Sequence, residues 1–74
     1  MVAIMINDDY VNITPGYPYE VDKIWWDGHF TLKDSPRRYL ATSFKFYDKG
    51  NELTFREAYK LYRVNCIKAK LGMK

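Results

Sequence analysis

From Thr54 onward the apolar residues of this chain change their spacing, and that change limits what the whole chain can fold into. Phe55, Ala58, Tyr59, Tyr62, Cys66, Ala69 and Met73 recur every three or four positions, the period of one helix face. Thr54 and Glu57 have the spacing of a capping box, in which the hydroxyl accepts from a free N–H of the first turn and the carboxylate reaches back. Gly72 is a suitable stop. The pattern predicts an amphipathic helix over 54–71. Its apolar stripe needs a surface, and the residues before it have to provide one.

Those residues read as strands joined by tight turns. "VAIMI" (2–6) is a short apolar run without a basic segment before it, and it reads as a first strand rather than as a signal peptide or membrane span. In the following loop, Pro15 and Gly16 fit the centre of a type II turn, where glycine supplies the positive φ. "YEVDKIWW" (19–26) and "HFTLKD" (29–34) flank Asp27-Gly28, a two-residue hairpin signal. "SPRR" turns the chain, "YLATSFKFYD" (39–48) supplies one or two further strands, and "DKGN" ends the β part. The expectation is a mainly β protein: a small barrel of five strands over 1–50 with the helix packed on it, all one domain. At 74 residues with 18% aromatic content, the chain can still assemble one core from large side chains.

The adjacent tryptophans pose a geometric question. Side chains alternate along a strand, so Trp25 and Trp26 should face opposite ways. With Asp27-Gly28 as a two-residue loop, Trp25 opposes Phe30 and joins the core, whereas Trp26 opposes His29 on the outer face. Trp26 is then either covered by the helix or exposed to a partner. Val21 and Ile24 differ in parity, which points to a bulge near Asp22 and Lys23 that would exchange the two roles.

Charge is unevenly distributed. Up to Leu53 six basic residues meet eight acidic ones, a balance of −2; from Thr54 onward six basic residues meet only Glu57, a balance of +5. One cysteine and one histidine exclude a disulfide framework and a Cys/His zinc site, and they suit a reducing cytoplasm. His29 has no nucleophile tied to it by a motif, and Cys66 falls on the apolar stripe. Asp8 and Asp9 lack the alternating ligands of a calcium loop. There is no glycine-rich phosphate loop. The reading is therefore a non-catalytic protein without a metal or cofactor.

The succession Gly16-x-x-Tyr19-x-Val21, Gly28-x-Phe30-x-Leu32-x-Asp34, Arg38-Tyr39 and Ser43-Phe44 resembles small phage- and prophage-encoded proteins with an SH3-like barrel. The tryptophan pair followed by "RYLATSF" is similar to the layout of signalling SH3 domains, although here the pair runs straight into a turn and the acidic-aromatic opening is missing. The resemblance covers roughly residues 4–48 and leaves the helix outside. It implies a phage-type, host-directed binding protein acting in the host cytoplasm.

Two surfaces follow as candidates. The cations Arg56, Lys60, Arg63, Lys68 and Lys70, joined by Trp26, would contact nucleic-acid phosphates or a complex built on nucleic acid. Alternatively, the chain is a small inhibitor or adaptor that presents Trp26, Tyr10, Tyr17 and the apolar set Val64, Ile67 and Leu71 to a host enzyme or defence complex. That apolar set also offers a seam for a homodimer.

Overall fold

The computed structural model describes residues 1–72, with the side chains of residues 70–72 outside the description. It contains strands β1 (Val2–Met5), β2 (Pro18–Ile24), β3 (His29–Leu32), β4 (Ser35–Leu40), β5 (Phe44–Asp48) and β6 (Asn51–Leu53), then helix α1 (Phe55–Gly72). A 3-10 turn, Ala41–Ser43, links β4 to β5. All pairings are antiparallel, in the order β4-β3-β2-β1-β5-β6. The protein is thus mainly β with one C-terminal helix, but the expected five-stranded barrel is corrected to six strands in an open sheet.

Strand β2 bends the sheet. Pro18, Tyr19 and Glu20 pair with β1, whereas Val21, Lys23 and Ile24 pair with β3, and the register shifts between Val21 and Lys23. This is the bulge that the parity of Val21 and Ile24 required; both residues are buried. The curved inner face collects Ala3, Met5, Val21, Ile24, Phe30, Leu32, Tyr39, Phe44 and Phe46. Phe30 stands at its centre, edge-on to Phe44 and Phe46 with ring centroids 4.9 and 5.0 Å away.

Two segments cover this face. The β1–β2 loop folds back so that Ile13 is buried and Tyr10 packs edge-on against Tyr39 at 4.9 Å. Its end carries the expected turn: Tyr17 N–H donates to Thr14 O at 3.2 Å, with Gly16 at φ +82°. Helix α1 covers the Phe46 side, where Ala58 is fully buried and Phe55, Tyr59 and Tyr62 are half-buried. The remainder of the stripe is only partly used, since Cys66 is half-buried and Ala69 exposed; Met73 lies outside the described residues.

Three local expectations are corrected. "SPRR" is the first part of β4 rather than a turn, because the chain has already reversed at Lys33 and Asp34. "DKGN" does not end the β part: Lys49 and Gly50 both take positive φ, +52° and +84°, which is the geometry of a type I′ hairpin, and Asn51 returns as β6 opposite Asp48. Third, the β2–β3 connection is a three-residue loop. Trp25 N–H donates to His29 O at 2.8 Å, Gly28 N–H donates to Trp25 O at 3.2 Å, and Gly28 has φ +97°. That is a type I turn closed by a glycine bulge, and it sets Ile24 rather than Trp25 opposite Phe30.

The capping box forms as expected, with Glu57 N–H donating to Thr54 Oγ1 at 3.1 Å and Thr54 N–H donating to Glu57 Oε1 at 2.9 Å. Thr54→Ala is expected to cost about 1 kcal/mol. The check is a lower urea midpoint at unchanged slope; an equal midpoint would show that α1 does not depend on its cap.

Candidate nucleic-acid interface

The cations of α1 gain their arrangement from the helix period. At roughly 100° per residue, Arg56, Lys60 and Arg63 fall within an arc of about 60° that flanks the apolar stripe, while Lys68 lies about 80° beyond the far edge of that arc. All four are exposed. Lys70 and Leu71 lie outside the described side chains. Arg63 is held against the helix: its Nη1 donates to Tyr59 Oη at 3.1 Å, and this bond raises the guanidinium pKa further above its ordinary value.

Several acids of the chain are engaged elsewhere. Glu20 meets Lys33 at 2.9 Å and Glu52 meets Lys45 at 3.8 Å. The Lys33 ammonium holds the Glu20 carboxyl below its usual range, and Glu20 in turn raises Lys33. Glu57 serves the helix cap. Among the described residues, no carboxylate lies within ion-pair distance of Arg56, Lys60, Arg63 or Lys68.

Val64 and Ile67, the described members of the apolar set, do not form a face separate from the cations. Ile67 projects within the arc of the cations and is 53% exposed. Val64 instead lines a hollow of about 450 Å³ with Leu53, Leu61, Lys60, Glu57 and Asp48. A second hollow, about 290 Å³, lies between α1 and β2 and is lined by Glu20, Val21, Asp22, Tyr62 and Cys66 among others. Burial, with the neighbouring Cys66 thiol, pushes the Tyr62 phenol above its ordinary pKa.

Neither tryptophan takes the place expected for it. Trp26 occupies the first central position of the β2–β3 turn and is 78% exposed, so the helix does not cover it. Trp25 lies on the outer face of the sheet, half-buried, with the Arg38 guanidinium 4.3 Å from its ring centroid. The bulge at Asp22 removed Trp25 from the core, and the three-residue loop kept Trp26 from replacing it. Asp27 fastens this turn: Oδ1 accepts from His29 N–H at 3.2 Å and Oδ2 lies 3.2 Å from His29 Nδ1. The backbone bond from His29 is the main reason the Asp27 carboxyl sits below its usual pKa.

Sequence reasoning missed the neighbours of Trp25. Register places Lys23, Thr31 and Arg38 side by side across β2, β3 and β4. His29 and Leu40 form the adjacent row. Thr31 is buried within this face, and among the described residues its Oγ1 has no hydrogen-bond partner. Reading "SPRR" as a turn concealed the row; the alternation of Arg38, Tyr39 and Leu40 was the available signal.

The tyrosines have separate roles. Tyr10 is half-buried, its hydroxyl oxygen accepting from Leu40 N–H at 3.0 Å, with Arg37 5.3 Å from its ring centroid. Tyr17 is exposed and packs edge-on to Tyr19. Trp26, beyond the end of β2, lines neither of the two hollows beside α1. The candidate residues therefore fall on two surfaces, a helical cationic face and an aromatic hairpin. No protein-family model matches this chain, and neither a curated protein nor a solved structure matches it significantly.

Proposed function

We propose that this chain is a non-catalytic, host-directed binding protein that contacts nucleic acid, or a complex built on nucleic acid, through the cations of α1. One observation carries the reading: Arg56, Lys60, Arg63 and Lys68 are exposed and without acidic partners among the described residues, while Glu20 and Glu52 of the sheet are paired with Lys33 and Lys45. Unpaired cations at helical spacing match the repeated negative charge of a phosphate backbone and gain from counterion release. They carry no base code, so binding is electrostatic. The phage-type origin, the host cytoplasm as its place of action and the SH3-like reading of the β part rest on the resemblance of residues 4–48.

Affinity for a duplex of any sequence is expected to fall with salt, with a logarithmic slope near −3 if about three phosphates are neutralised. Replacing Lys60 and Arg63 together by Glu should weaken binding to all duplexes alike and make that slope shallower by about 2. No retention on duplex or single strand at low salt would end this reading.

The second reading, a small inhibitor or adaptor, is favoured by the exposure of Trp26 and Ile67. Affinity purification from host-cell lysate with and without nuclease separates the two. A partner released by nuclease supports the first reading; one retained after nuclease and lost on Ile67→Asp supports the second.

A further inference from the structure

We infer that the outer face of the β2–β3–β4 hairpins is a stacking platform for unpaired nucleobases, so that the ligand engaged there is single-stranded nucleic acid. This rests on the nucleic-acid reading above and adds a second surface with its own specificity. Three features of the face carry it.

The first is Trp26. It sits at the tip of a turn fixed by the bond from Gly28 to Trp25, the left-handed Gly28 and the Asp27 clamp, and its ring is 78% exposed. An exposed indole on a backbone ordered in advance presents a π face without the cost of ordering the loop that carries it. The second is the pair next to it. Arg38 lies 4.3 Å from the Trp25 ring centroid, so its guanidinium offers another planar surface on which a base can stack.

The third is charge. Lys23 and Arg38 flank Thr31 in register, and among the described residues neither has a carboxylate within ion-pair distance. Asp27, in the turn of the same hairpin, is held by His29. The face is thus cationic beside two stacking surfaces, the combination that binds single strands with little sequence preference. A duplex satisfies only the cations, because its bases are already stacked on one another. Single strands satisfy both.

The test compares a 15-nucleotide oligothymidylate and oligouridylate with a 15-base-pair duplex at one salt concentration, following tryptophan fluorescence and affinity. Both single strands are expected to quench the fluorescence and to bind more tightly than the duplex. Trp26→Ala should weaken single-strand binding roughly 5- to 150-fold, the range for losing one stacked base, and leave duplex binding unchanged. Trp26→Phe should restore most of it. Arg38→Ala should also act mainly on single strands, whereas the double replacement of Lys60 and Arg63 by Glu should weaken both ligands.

Equal affinity for single strand and duplex, with Trp26→Ala neutral toward both, would overturn the platform while leaving the helix reading intact. Failure of every oligonucleotide to bind at low salt would remove both. Capture of a nuclease-resistant protein partner that depends on Trp26, with single-strand binding unaffected by Trp26→Ala, would make this face a protein anchor and overturn the inference.

Discussion

Phe30→Ala is expected to remove a large part of the protein's stability. Phe30 is fully buried and meets three other aromatic rings: Phe44 and Phe46 edge-on, and Tyr39 at a centroid distance of 5.9 Å. Truncating such a ring removes its transfer free energy and leaves a cavity, together about 3–5 kcal/mol. A chain of this length has a total stability of about 4–11 kcal/mol at 0.05–0.15 kcal/mol per residue. The loss is therefore a large part of the whole. In urea the midpoint should fall steeply while the slope stays constant; Phe30→Leu, which retains part of the volume, should fall between the variant and the parent. A midpoint for Phe30→Ala close to that of the parent would mean that the ring does not hold the sheet together.

The position of Phe30 was readable because strand alternation is a local property. Phe30 and Leu32 face inward as their spacing required, and the Pro15-Gly16 turn and the capping box at Thr54 and Glu57 also depend only on residues within three or four positions. The fate of the tryptophans depended on two events whose consequences combine. A bulge at Asp22 shifts every later side chain on β2 by one, and Asp27-Gly28 serves a three-residue loop as readily as a two-residue one. Either alone would have moved an indole to the other face. Together they expose Trp26 at the tip and leave Trp25 under Arg38.

The missing strand has a similar cause. Lys49 at positive φ is unusual for a residue with a Cβ, so "DKGN" did not announce a type I′ turn, and β6 is only three residues long. Placement of α1 was the least readable of all. Its stripe required a surface, but which part of the sheet remained uncovered depended on the sixth strand and on the loop that buries Ile13. For the same reason the helix cations and Trp26, adjacent in the argument from sequence, stand on separate surfaces in space.

Ala58→Glu is expected to detach α1, and comparison with Lys60→Glu shows whether the cations belong to a face or to a tail. Ala58 is fully buried where the helix meets the core, and its N–H donates to Thr54 O at 2.9 Å in the first turn. A glutamate there has no room and no partner; keeping it docked would leave an uncompensated buried charge, a cost on the order of 3–5 kcal/mol. Undocking relieves that cost, but an 18-residue helix alone in water is marginal, so it should then melt. The expected result is a large loss of helical circular dichroism and of urea midpoint. Lys60→Glu places the same side chain two positions later on the exposed surface, where stability should change by no more than about 0.5 kcal/mol. Its effect should be on the salt dependence of binding, with a slope shallower by about 1. If Ala58→Glu instead leaves helicity and midpoint intact, the stripe is not docked on the sheet, and the cations would act without the fixed spacing that their helical arc provides.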